Sequence, residues 1–199
     1  MLETTFPILA TAFPLMGSPG PATISLAAVG SAYGFRAGLP YLAGIILGTT
    51  GVLVLVASGL VTLMIAIPGA VGLLSILGMG YILYLAWKIA TAPVGMQKSG
   101  STTCPALLPG LVLALSNPKA FAAIGAVYAS HTVMQGDLRL DTLFKVTLLT
   151  GVIVIVNSCW LMFGALFASA FSHAPLGRVI NVSMAAVLVV TVVLALFVS

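Results

Sequence analysis

Not one charged residue lies between Glu3 and Arg36. A segment that long and that apolar can lie in hydrocarbon only if its own backbone pairs every N–H and C=O, so it must be helical or part of a closed barrel. The rest of the 199-residue chain is similar: 61% of it is hydrophobic, only 5% is charged, and the mean hydropathy is +1.25. No stretch is polar enough to build a separate soluble domain, so residues 1–199 read as one transmembrane unit, all-α and integral to the membrane. Seven basic residues against three acidic ones give a formal charge of +4. They form no Lys or Arg run, which argues against nucleic acid as a partner and leaves the bilayer as the surrounding medium.

A hydrocarbon core about 30 Å thick takes about 20 residues of helix. Six spans are expected on that ruler, near residues 6–33, 39–67, 71–87, 106–133, 143–171 and 179–198. One polar linker, 91–105, separates the first three from the last three. The opening "MLETTFPILATAFP" carries Glu3 and no basic residue, unlike the positive start of a cleaved leader, so the chain is expected to enter its first span directly. Arg36, Lys88, Lys98 and Arg178 fall on one side of this arrangement, Arg139 and Lys145 on the other. The positive-inside rule then favours both termini outside the cytoplasm. Trp87 reads as an interface anchor with Tyr81 and Tyr84 beside it, Cys104 as a loop residue, and Cys159 as inert packing in an apolar run.

Two of the spans are interrupted at their middles. "MGSPGPA" (16–22) puts two prolines and two glycines into the first, and "SNPKA" (116–120) puts a proline and a lysine into the fourth. Sliding the chain by 99 residues lays Ser18-Pro19 on Asn117-Pro118, with Gly51 close to Gly151. With three spans in each half, 1–90 and 106–199, such repeats must be inverted in the membrane. Pro21 and Pro118 suit the first turn of a helix, where the missing N–H is not needed. Each break would then expose the positive end of a half-helix near the midplane, a site for a carboxylate. Ordinary proline kinks are the plainer reading of either motif alone.

Lys119 favours the functional reading, since a lysine at the centre of a span costs about 2.5–3.5 kcal/mol on insertion scales. The acidic residues are Glu3, Asp137 and Asp141, all near ends or loops, so a substrate carboxylate is the partner that Lys119 lacks. Its bland alternative is a long stem reaching an interface. Expected site residues are therefore Ser18, Pro19, Gly20, Pro21, Asn117, Pro118 and Lys119, with Thr49, Thr50, Asn157 and Asn181 either as polar cavity groups or as bonds between helices. Gly30, Gly34 and Gly38, and Gly44 and Gly48, fall four apart and suit close helix packing. His131 and His173 lie near span ends, where an interfacial role is the default and a proton relay the alternative.

The ordered set "SPGPA", "GSAYGFRAGLPYLAGIILG", "LGMGYILYLAWK" and "LSNPKAF" resembles the LysE/RhtB superfamily of amino-acid exporters across nearly the whole chain. That resemblance implies a multi-pass protein of the bacterial inner membrane that exports amino acids, driven by protons and dimeric, with no cofactor. Its motif positions match Pro19, Gly20, Pro21, Asn117, Pro118 and Lys119. With no acid in the spans to meet a cationic side chain, a neutral zwitterion of the threonine or homoserine kind is the expected substrate. Basic amino acids or other small metabolites are the alternative. A transmembrane thiol-redox carrier would want a cysteine beside Pro19 and another beside Pro118. A serine protease built on Ser18 and a distant histidine lacks geometry, and a mere scaffold leaves Lys119 unexplained.

Overall fold

A computed structural model describes residues 2–59, 104–134 and 136–167, with scattered positions between 76 and 91 and between 179 and 193. The spans expected at 71–87 and 179–198, and with them Tyr81, His173 and Asn181, lie wholly or largely outside the described residues.

Helices α1 (Leu2–Gly17) and α2 (Pro21–Tyr33) share the first expected span and part at residues 18–20. Helix α3 (Phe35–Ala57) follows after the single residue Gly34, whose φ of 84° no side-chain-bearing residue adopts easily. Helices α4 (Leu107–Leu115) and α5 (Pro118–Ser130) form the fourth span, bent by 61° at Ser116-Asn117. Helix α6 (Leu138–Leu166) is the longest. Among the described residues α3 and α6 are long and apolar enough to cross a membrane alone, and α4 with α5 would make a third crossing.

Helix α6 begins five residues earlier than the expected 143, because Asp137 caps it by accepting from the N–H groups of Arg139 and Leu140 at 2.9 and 3.1 Å. Lys145, read as a loop charge, is instead buried one turn from Asp141, and the two pair at 2.8 Å. Helix α3 likewise starts at Phe35 rather than 39 and ends at Ala57, the remainder of the expected 39–67 span lying outside the described residues.

Two apolar cores hold the bundle. One gathers Ala12, Val52, Leu53, Val127, Leu149 and Val152; the other gathers Leu26, Val29, Tyr41, Leu42, Leu113 and Leu161. Helix α3 meets α4 so closely that a Cβ on Gly44 would collide with the Leu107 carbonyl and one on Gly110 with the Tyr41 carbonyl. Helices α2 and α6 meet the same way, Gly30 against Leu161 and Gly164 against Ala27. Gly34 belongs to the turn and has nothing within 4 Å, which corrects its placement in a packing stripe. Cys159 is exposed, not packed inside. It shares an outer stripe with Ile155, Met162 and Leu166, and an apolar run alone cannot distinguish a lipid-facing stripe from a core-facing one.

Candidate functional site

The two breaks open onto one cavity. Its walls are Met16, Gly20, Ala22 and Thr23 from the first break, Asn117, Lys119, Ala120, Ala123 and Ile124 from the second, Thr49 from α3, and Ile153, Val156 and Asn157 from α6. It lies where the two apolar cores meet, and its volume is about 40 Å³.

Each break leaves backbone groups without the partner a continuous helix would give them, and inside a bilayer those groups need another. At the first break the indole Nε1 of Trp160 donates to the Gly17 carbonyl at 3.0 Å, and the Lys119 ammonium donates to the Ser18 carbonyl. The next helix starts with Pro21 at N1, and the Gly20 N–H donates to Thr23 Oγ1 at 2.9 Å. At the second break Pro118 occupies the same first-turn position. Asn117 caps α5 twice, its Oδ1 accepting from the Lys119 N–H at 3.2 Å and its carbonyl from the Ala120 N–H at 3.0 Å. Helices α2 and α5 are both 13 residues long and both begin on proline, at an offset of 97 residues rather than the 99 of the sequence slide. The helix starts therefore pair Gly20 with Asn117, not Ser18 with Asn117.

Of the expected residues, Gly20, Asn117, Lys119, Thr49 and Asn157 line the cavity. Ser18 is not among the lining residues; its carbonyl accepts from the Lys119 ammonium, and its hydroxyl donates to the Leu15 carbonyl at 2.9 Å. Pro19 is exposed, and Pro21, Pro118 and Thr50 are not among the lining residues. Thr50 Oγ1 is buried with no hydrogen-bond partner among the described residues. Thr49 and Asn157 each donate to a carbonyl one turn back, Ile45 and Ile153, both at 2.8 Å. His131 sits at the end of α5, with Nδ1 2.8 Å from Ser130 Oγ, away from the cavity.

Thr23, Met16 and Trp160 escaped the sequence reading. A threonine at the third position of a helix that starts on proline is a capping signal, so Thr23 was findable. Nothing in the sequence marks Trp160 as the partner of a carbonyl 143 positions away. No carboxylate lines the cavity among the described residues. Among the acids whose burial is described, the buried one is Asp141, held by Lys145 and by the N–H groups of Val133 and Met134 at 2.7 and 2.9 Å.

A broken helix pair, a central lysine and paired half-helix starts are the parts of a membrane carrier. The family model described as LysE type translocator matches residues 14–199. The chain belongs to the LysE type translocator family. Proteins named cysteine/O-acetylserine efflux protein from Salmonella paratyphi A and from Escherichia coli O6:H1 are each 34% identical to it, over 173 and 174 residues. Those alignments cover 86% of this chain and 87% of theirs. No solved structure matches the chain. Family membership makes this LysE-type chain a membrane translocator rather than an enzyme.

Proposed function

We propose that this translocator exports a small, neutral, zwitterionic amino acid through the bacterial inner membrane, as a secondary transporter coupled to the proton gradient. The observation that carries the reading is the cavity's charge: one lysine, Lys119, and no carboxylate among the described lining residues. A cation in a low-dielectric site favours a ligand that brings an anion. The backbone N–H groups of Ala22 and Thr23, at the start of α2, add donors of the same sign. A basic amino acid would bring a second cation with nothing acidic to receive it.

The printed names of the relatives move the substrate within this class, from threonine or homoserine toward cysteine or O-acetylserine, all of them short and zwitterionic. The inverted repeat stays part of the proposal, with α1, α2 and α3 corresponding to α4, α5 and α6. The equal lengths and proline starts of α2 and α5 support it. Lys119 is the titratable group in the cavity and so the proposed site of proton exchange.

Efflux of labelled cysteine, O-acetylserine, threonine, homoserine and lysine from proteoliposomes under an imposed proton gradient tests this reading. The neutral amino acids should leave and lysine should not, and Lys119→Ala should abolish efflux in protein that still elutes as a folded species. Strong lysine export with little neutral transport would overturn the substrate class. No movement of any of the five would overturn the function.

A further inference from the structure

Lys119 already has a partner in this state. Its ammonium donates to the Ser18 carbonyl, one of the oxygens left over by the first break. Its stem lies across Gly20 so closely that a Cβ there would stand 2.5 Å from Lys119 Cδ and 3.1 Å from Nζ. The lysine therefore bridges the two breaks and fills the space between them. A space of about 40 Å³ remains beside it. The Ser18 carbonyl also accepts from the Thr23 hydroxyl at 3.4 Å, and an ammonium held by a backbone carbonyl in an apolar site has the same chemistry as the α-ammonium of a bound amino acid.

We infer that the Ser18 carbonyl, beside the cavity that Lys119 and Asn157 line, is the ammonium subsite of the transporter, and that Lys119 occupies it as a tethered stand-in until substrate arrives. The inference rests on the amino-acid export reading. Loading is then an exchange of partners. The substrate ammonium takes the Ser18 oxygen, and the released Lys119 ammonium, with three donors to place, takes the substrate carboxylate. Only a zwitterion completes both halves. An amine would displace Lys119 and leave it with no anion, and a carboxylate would draw Lys119 away and leave the carbonyl without an ammonium. Selection for amino acids over simple amines and simple acids thus follows from one lysine and one carbonyl, with no acidic residue involved.

The test is calorimetric binding of three probes to purified protein: L-2-aminobutyrate, propylamine, which lacks its carboxylate, and butyrate, which lacks its ammonium. Wild type is compared with Lys119→Met, which keeps an apolar stem, and with Lys119→Ala, which leaves the subsite open if the methionine itself fills it. Propylamine should bind at least one variant about ten- to hundredfold more tightly than wild type, the range expected for a hydrogen bond to a charged group. Butyrate and L-2-aminobutyrate should bind both variants more weakly. Loss of folding would weaken all three probes, so opposite movements cannot come from it. If propylamine gains in neither folded variant while wild type binds and exports the zwitterion, the subsite assignment fails and the export reading stands. If wild type neither binds nor exports any neutral amino acid, both fall together.

Discussion

At Gly20 the missing side chain makes room for the stem of Lys119. Its backbone is extended, φ −171°, which any residue adopts, so the glycine is required for room and not for its torsion. Gly20→Ala should push the Lys119 stem off its seat and destabilise the protein by about 1–3 kcal/mol, the usual range for adding a methyl to a filled site. Thermal unfolding alongside efflux checks this, and a variant with unchanged melting and unchanged transport would show that the stem yields freely. Residues of this kind were legible when their type was out of place: a lysine, two prolines and an asparagine in apolar helices. Ser18 was named by its position in the break, and what it gives Lys119 is its carbonyl, because backbone groups carry no letter in a sequence. Asp141 and Lys145 were read as loop charges since each alone is costly to bury, whereas four residues apart on a helix they neutralise each other.

Among the elements, the junction of α5 and α6 depends on that pair. Lys145 Nζ donates to the Tyr128 and His131 carbonyls at 3.2 and 3.0 Å and lies 4.1 Å from the centre of the Tyr128 ring, so it ties the end of α5 to the start of α6. Lys145→Met alone should cost about 3–5 kcal/mol, because it leaves the Asp141 carboxylate buried without a counter-charge. The double variant Asp141→Leu with Lys145→Met should recover part of that loss, and denaturation of the four proteins of the cycle measures how much. A loss in the double variant equal to the sum of the two single losses would mean that the charges do not act as a pair. Helix boundaries were legible wherever a break residue marks them, as at 18–20 and 116–117. They were missed where a cap decides, as at Asp137, because a carboxylate at the start of a helix and one in a loop look alike until the N–H groups it accepts from are placed.

At the scale of the whole molecule, the close glycine contacts among the described residues join helices from different halves of the chain: α3 with α4, and α2 with α6. Glycine contacts of that kind allow little separation, so the moving bodies of an alternating-access cycle should be these pairs and not the two sequence halves. The cavity lies between them, lined from α2 and α6 on one side and from α3 on the other, so an opening motion would part the pairs there. Thr49→Cys, placed on a cavity wall in a protein with Cys104 and Cys159 replaced, should therefore resist a water-soluble maleimide at rest and label faster when substrate is present. Labelling at one rate in both conditions would contradict an opening at this site. The sequence could suggest two halves because the repeat is written along the chain, but which helices lock together depends on which glycines face each other.

Helix α2 belongs to one of these pairs and α3 to the other, and the covalent link between them is Gly34 alone. With φ at 84° and no atom within 4 Å of where a Cβ would stand, this residue can be altered without touching any neighbour. Gly34→Ala is thus a purely torsional probe. It should cost about 1–3 kcal/mol through the backbone alone, and any change in turnover that it causes would report how far this swivel must rotate in each cycle.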